Sequence, residues 1–552
     1  MKKRHKNAYG IVGIILLAYS TQVWSDVVEP VQPAVADFTS IGPEKLVAAT
    51  GADELAITAT LTIPEKDQGK QADLFVMATF DNFLYINSEE AGWDSYSGSL
   101  PAFRHSVTLG ATQTFPIYTG DIFKRWEGMI HIFYAYLILE DTPIFYGNHF
   151  QLTVSATAQK LQQMMDVKIA ENEIPGVVMA VIIPDEGKWV GTSGVSDLNN
   201  QTDMHPHDKF RVASITKTFT ALTILQLAQE EKLGLDDTLE QLLPGVVCGQ
   251  ETTDCSYVCD DKNCNFEPAK ITIRMLLTHF SGIENFTHDV NNWVRPSLAQ
   301  PDKVYTPTEL VNFGLAFGPM SEPGTEWSYA NTNYVLLGMI IEKLTGSAWE
   351  NEVRNRFVEP LELTNTLIPN IGEATLSEPY ARGYINLFEQ THGEAGEEGV
   401  IVEHSVQDPG FTWSSGDIIS TPEDMMYWIK HVSEGDLLNE TYQQEMLTFI
   451  VDPSTVGLEM GLGIVKDLND DVIGHIGQLS GYDCTTQYQP THAIPISVCA
   501  NRTLAASSPK NIQILMVGDA LAIITGEENS ESRSSKRSNG YRSGIWKSMN
   551  EY

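Results

Sequence analysis

The stretch Arg211-Val-Ala-Ser214-Ile-Thr-Lys217-Thr-Phe-Thr220 sets a serine and a lysine three residues apart, at the head of a long apolar run. Side chains at that spacing share one helix face, so the lysine amine can reach the serine oxygen and turn the hydroxyl into a nucleophile. From Thr218 to about Glu230 apolar residues recur at three and four, the period of a core helix. The short Ser214 side chain suits the first turn, where backbone N–H groups lack helical partners. A serine and a lysine fall at this spacing by chance in many long chains. The pair therefore gains meaning only from its surroundings.

Two further constellations lie downstream. Tyr329-Ala-Asn331 follows Glu322-Pro-Gly-Thr-Glu-Trp-Ser and precedes a helical run over 332–344. From a loop, Tyr329 can exchange a proton with the serine oxygen or a leaving group, its pKa lowered by a nearby ammonium, and Asn331 can bond a substrate amide. Taken alone, the same residues read as a packing aromatic and a helix cap. His475-Ile-Gly477-Gln478 closes an expected strand over 472–476. Glycine there permits close approach of backbone and substrate, and the N–H of Gln478 can pair with that of Ser214 to hold an oxyanion. The plainer reading is a turn histidine. His205, His207, His279 and His288 lack ligand spacing, and neither an HExxH nor a Cys-rich metal pattern occurs. No metal or cofactor is expected.

Around these motifs the pattern divides the 552-residue chain. Residues 1–25 have a basic start, a short apolar run and a small-residue exit, which predicts a signal peptide and a periplasmic or secreted protein. Residues 26–156 alternate with period two over 55–63, 72–80, 83–87, 106–109, 129–139 and 149–154, predicting an all-β sandwich with no catalytic cluster and an unknown ligand. Residues 157–526 read as an α/β domain. Its helical middle lies between strand patterns over 176–183, 188–191, 460–465, 472–476, 481–487 and 494–500, as if the two ends of the domain completed one antiparallel sheet. Helices are expected over 158–170, 421–430 and 510–524. Residues 527–552 read as a polar tail.

Net charge is -37, which disfavours nucleic acid and anionic membranes, and no segment of the mature chain is long and apolar enough to span a bilayer. Six cysteines form two groups, Cys248, Cys255, Cys259 and Cys264 in a polar insert and Cys484 and Cys499 on neighbouring strand-like runs. Export favours disulfides. The first group leaves three pairings open, and the second can close across a hairpin.

Together, Ser214-x-x-Lys217, Tyr329-x-Asn331 and His475-x-Gly477 resemble the three motifs of the serine beta-lactamase and penicillin-binding protein superfamily. The nearest likeness is to the branch of class C beta-lactamases, Streptomyces-type D-Ala-D-Ala carboxypeptidases, D-aminopeptidases and related esterases. Phe210-Arg-Val-Ala-Ser214, Ile273-Arg-Met-Leu-Leu-Thr-His279-Phe-Ser-Gly282, Pro323-Gly-Thr, Gly416-Asp-Ile-Ile-Ser420 and Gly461-Leu-Gly463 extend it over about 157–526.

The resemblance implies a beta-lactamase-like fold with flanking helices and an all-helical region. It further implies acylation of Ser214, base and acid duties shared by Lys217 and Tyr329, orientation of substrate by Asn331, and an oxyanion hole at the N–H groups of Ser214 and Gln478. Substrates would be small peptides, amides, esters or beta-lactams, D-amino-acid peptides foremost. An esterase, a beta-lactamase, or a non-catalytic penicillin-binding or peptide-binding protein are the alternatives. Relatives that grip a free carboxylate place hydroxyls and an arginine where this chain has Ile476, Gln478 and Val465. That departure weakens a strict carboxypeptidase assignment.

Overall fold

A computed structural model describes residues 45–49, 57–62, 69–80, 83–88, 92–95, 104–108, 112–118, 128–138, 144–247, 266–390, 399–451, 457–503 and 512–526. The expected signal peptide, the four cysteines of the insert and the polar tail lie outside these residues. The chain divides into two compact units, 1–160 with 185–189, and 161–184 with 190–552.

In the first unit the period-two segments are strands. Gly128–Ile138 pairs antiparallel with Ile144–Ser155 and with Gln71–Phe80, which continues through Phe83–Ser88 to Gly92–Ser95. Lys45–Ala49 lies parallel on Ile144–Ser155, and Arg104–Thr108 pairs with Gln71–Phe80. Ile57–Thr62 and Thr112–Tyr118 form a separate two-stranded sheet.

The second unit is built on a sheet in the order Ile450–Val451, Leu458–Met460, Val465–Asp467, Val472–Leu479, Tyr482–Gln489, Ile494–Ala500, Gly176–Ile183, Gly187–Asp197. Gly176–Ile183 pairs antiparallel with Ile494–Ala500, so residues more than 300 positions apart close the sheet. Every residue of Tyr482–Gln489 and Ile494–Ala500 is buried, as strands covered on both faces must be. The covering helices include Pro422–Glu434 and Ile512–Thr525. The first starts as its sequence demands, with Thr421 accepting from Asp424 N and Pro422 at the first helical position. Cys484 and Cys499 face each other in register and are bonded.

Two boundaries near the site differ from expectation. The run expected as one strand over 460–465 is two strands, because Gly463 turns at φ +75° and a Cβ there would meet Ala221 Cβ at 2.2 Å. The strand expected to stop at Ile476 continues to Leu479, so His475, Gly477 and Gln478 are ladder residues and not a strand end. Pairing with Tyr482–Gln489, invisible to local pattern, decides this.

The helix Thr216–Gln229 is buried on nearly every side, with Phe219 stacked on Trp428 at 3.7 Å. A helix apolar all round belongs at the centre of a core, and this one carries Lys217 there with it. Among the described residues no helix is long and apolar enough to cross a membrane, and no group of three or more His, Cys, Asp or Glu is placed to hold a metal.

Candidate active site

Ser214 sits in the short 3-10 turn Ala213–Ile215 that leads into the nucleophile helix. Ala213 before it adopts φ +50°, a left-handed conformation that costs a non-glycine residue about 1 kcal/mol or more. The strand Val472–Leu479 packs on this turn, and a Cβ on Gly477 would come within 2.0 Å of Val212 O. Glycine at 477 is thus what lets the strand carrying Gln478 lie against the nucleophile.

The three motifs converge. Tyr329 OH donates to Ser214 Oγ at 2.8 Å, and Lys217 Nζ lies 3.0 Å from the same oxygen. Lys217 Nζ also donates to Asn331 Oδ1 at 2.6 Å and to Ser415 O at 2.7 Å. Asn331 is the first residue of the helix Asn331–Thr345, and its Nδ2 donates to Asn285 Oδ1 at 3.1 Å. Both ends of its amide are therefore engaged within the protein. It fixes Lys217, a role beside the substrate contact expected of it.

Burial sets the protonation states. Lys217 is wholly inaccessible, and loss of hydration drives its pKa well below the ordinary lysine value, against a smaller upward pull from Asp417. Burial pushes Tyr329 well above the ordinary phenol value. Tyr329 thus moves opposite to the lowering that a nearby ammonium would give, because burial disfavours charge on both groups. A neutral amine has two N–H donors and one lone pair. With Asn331 Oδ1 and Ser415 O taking two donors, a neutral Lys217 would keep its lone pair for the proton of Ser214.

His475 is buried on its strand, its Nδ1 donating to Ile476 O at 2.5 Å. Burial drives its pKa down to about 3, so the ring is neutral at ordinary pH. Val465 packs against a small apolar cluster of Trp327, Tyr329, Leu458 and Met460, apart from the main core. Ile476 is buried.

Sequence reasoning missed three supports. His279, at φ +63° after the helix Ile273–Thr278, accepts from Ala330 N with Nδ1 at 3.2 Å and receives Ser328 N on its carbonyl at 2.9 Å, so it braces Tyr329 from both sides. Asn285 Oδ1 takes Asn331 N as well as its amide. Ser415 contributes a carbonyl, which no side-chain motif can announce. The Thr-His-Phe-Ser-Gly and Gly-Asp stretches were the available signals for the first and third.

A family model described as Beta-lactamase matches residues 157–516, more than half of the chain. Protein flp of Staphylococcus aureus is 25% identical over 357 residues, covering 62% of this chain, which in turn spans only 63% of flp. Among solved structures, a D-stereospecific amidohydrolase from a Streptomyces species shares 30% identity at a TM-score of 0.53, over 62% of this chain and 93% of its own. The D-amino acid amidase of Ochrobactrum anthropi shares the fold at a TM-score of 0.57 and 23% identity, over 68% of this chain and 100% of its own. With Lys217 and Tyr329 both in hydrogen-bond reach of Ser214, this chain belongs to the beta-lactamase family.

Proposed function

We propose that the protein cleaves peptide-type amides through an acyl-enzyme on Ser214, with amides and amino-terminal peptide bonds of D-amino acids as its substrates. The observation that carries this reading is the convergence of Tyr329 OH and Lys217 Nζ on Ser214 Oγ, at 2.8 and 3.0 Å. Ser214 loses its proton to the lone pair of Lys217 as its oxygen bonds to the substrate carbonyl carbon. The proton then reaches the leaving nitrogen by way of Tyr329, which burial keeps protonated and able to donate. Asn331 holds Lys217 in place, and the N–H groups of Ser214 and Gln478 receive the oxyanion across the contact that Gly477 permits. Water hydrolyses the ester, its proton passing to Lys217 and from there back to Ser214 Oγ as the acyl group leaves.

The substrate preference rests on the strand side. Neutral His475 and apolar Val465 and Ile476 offer no cation to a terminal carboxylate, so a peptide ending in a free carboxylate gains nothing there. An amide lacking that group loses nothing. The amidohydrolase likeness at 30% identity points the same way. Residues 1–25 as a signal peptide and 26–156 as an accessory β-sandwich complete the proposal, which places the enzyme in a periplasm or the medium.

The test is a panel of D-amino-acid amides, their L-enantiomers, D-Ala-D-Ala peptides, short acyl esters and a chromogenic cephalosporin, each with the native enzyme and with Ser214→Ala. Turnover of D-amides that vanishes in Ser214→Ala is expected. Preference for D-Ala-D-Ala peptides sinks the amidase assignment, and turnover of esters alone makes the protein an esterase.

A further inference from the structure

A side-chain amide has two ends of opposite hydrogen-bond sense, and the end that faces Lys217 decides what the amine can do. Ser415 O, a backbone carbonyl, can only accept, and Thr220 Oγ1 steadies its turn by donating to Ser414 O at 2.7 Å. Asn331 has no such fixed sense. With Oδ1 toward Lys217 Nζ, at 2.6 Å, it accepts from the amine. Turned over, it would present Nδ2. A neutral amine would then spend its one lone pair on Asn331, and an ammonium would meet donor with donor. Either way the lone pair that Ser214 needs is lost.

The orientation traces back to backbone groups, whose sense is fixed. Asn285 caps the short turn Phe286–His288, its Oδ1 accepting from Thr287 N at 3.4 Å, and the same atom accepts from Asn331 N at 3.1 Å. Backbone N–H groups can only donate, so the Asn285 atom that meets both must be the oxygen. The end of the Asn331 amide that lies 3.1 Å from this oxygen must in turn be the donor Nδ2, which leaves Oδ1 for Lys217. Asn285 bears a cost for this orientation, since its own Nδ2 is buried with no hydrogen-bond partner among the described residues.

The segment is tied to the helix Asn331–Thr345 by neighbouring side chains. Thr332 Oγ1 donates to Glu284 O at 2.6 Å and accepts from Phe286 N at 3.0 Å, and Ser281 Oγ donates to Asn333 Oδ1 at 2.7 Å. Beside Asn285, the Glu284 carboxylate meets His288 Nδ1 at 3.0 Å and Asn285 N at 2.7 Å. The titratable groups about Lys217 are Tyr329 and Tyr334, with ring centroids 5.0 and 5.5 Å from Nζ, and the buried His279, His475 and Asp417.

We propose that Asn285 is a positioning residue for acyl transfer: its oxygen sets the hydrogen-bond sense of Asn331, and Asn331 keeps the Lys217 amine donating on that side. Three donors on one oxygen thus carry the polarity of the backbone to the catalytic lysine. The inference rests on the acyl-transfer reading above.

The readout is the second-order rate at which a fluorophosphonate labels Ser214, measured from about pH 4 to about pH 10. In that reaction Ser214 Oγ bonds to phosphorus, fluoride leaves without needing a proton, and Lys217 takes the serine proton, so the rate reports the base alone. Asn285→Leu keeps the size and removes the oxygen, which frees Asn331 to turn Nδ2 toward Lys217. The neutral amine then gains a partner that the ammonium cannot use. The plateau rate should fall about tenfold, and the acid limb of the profile should move down by about one pH unit. Asn285→Asp keeps the oxygen, and its three N–H donors favour the carboxylate. Its plateau should stay within about threefold of native, with the acid limb moved up because the new charge favours the ammonium. This variant also carries the test if Asn285→Leu does not fold. Rates lowered equally at every pH in Asn285→Leu mark a purely structural residue and overturn the proposal, as do native rates in Asn285→Leu or a plateau in Asn285→Asp about tenfold below native. In each of those cases a native enzyme labelled at Ser214 leaves the acyl-transfer reading standing. If the native enzyme is not labelled there at all, that reading fails and this proposal fails with it.

Discussion

On the helical side of the site, Lys217 Nζ has three oxygens within 3.0 Å, each supplied by a different segment and each segment anchored by further hydrogen bonds. On the strand side, neutral His475, Ile476 and Val465 present no charge, and Val465 leans on the apolar cluster around Trp327. The Lys217 amine is saturated there, so almost any change leaves a buried polar group without a partner. The second is held by packing and backbone ladders, which tolerate exchange of side chains more readily. The proposed chemistry thus lies in the part that cannot vary cheaply, and the proposed substrate choice in the part that can.

The strongest way to break the helical side is Lys217→Arg. A second buried cation stands six residues away, and it shows why the exchange is not conservative: Arg211 stays charged among carbonyls because a guanidinium does not give up its proton, whereas Lys217 can be driven neutral. An arginine at 217 keeps donors for Asn331 and Ser415 but offers Ser214 no lone pair. Loss of the base should lower kcat by about a thousandfold or more. Steady-state rates on the preferred amide measure it. Retention of a tenth of the activity would mean that Tyr329, not Lys217, takes the proton.

The strand side should break through stability before chemistry. The Cys484–Cys499 bond closes a loop of 15 residues beside the strand that carries His475. Replacing both cysteines with serine should cost about 3 kcal/mol in the loop-entropy account. Equilibrium urea unfolding of the variant and the native protein checks this, with a larger loss if the buried serines find no partners.

How legible all this was in sequence follows the same division. Ser214, Lys217, Tyr329 and Asn331 could be found because side-chain chemistry at fixed spacing leaves a local record. The sheet closed by Gly176–Ile183 and Ile494–Ala500 was legible from strand patterns at both ends of one domain. The third oxygen on Lys217 was not, because it is a backbone carbonyl whose position depends on a turn 198 residues away. Nor was the protonation of Tyr329, since burial depends on which helix becomes the core. His475 was placed at a strand end because local pattern stops at Ile476, while the ladder partner that extends the strand lies in the next segment.

Val465→Arg sharpens the contrast by putting a cation on the uncharged side. Val465 is half-buried and packs beside Tyr329, so a long cationic side chain there has an outward path and a place near the substrate. A charge-assisted hydrogen bond to a terminal carboxylate is worth about 1.5 to 3 kcal/mol. The ratio of kcat/KM for a D-Ala-D-Ala peptide over a D-amino-acid amide should therefore rise about tenfold or more. An unchanged ratio would show that the carboxylate lies elsewhere.

The smallest effect separates function from stability at the same residue. A lysine whose folded pKa is depressed binds its proton less readily in the folded state than in the unfolded one. Between its lowered pKa and about 10.4 in the unfolded chain, Lys217 therefore opposes folding, and the penalty shrinks as pH rises. One proton of difference corresponds to a slope of about 1.4 kcal/mol per pH unit. Lys217→Met lacks that group, so its stability relative to the native protein should decline with that slope from above the lowered folded pKa toward about pH 10, while remaining inactive throughout. Paired unfolding curves at several pH values give the difference directly, and effects common to both proteins cancel. A flat difference would mean that Lys217 is already charged when the enzyme is at rest, and the lone pair assigned to Ser214 would have to be created by substrate binding.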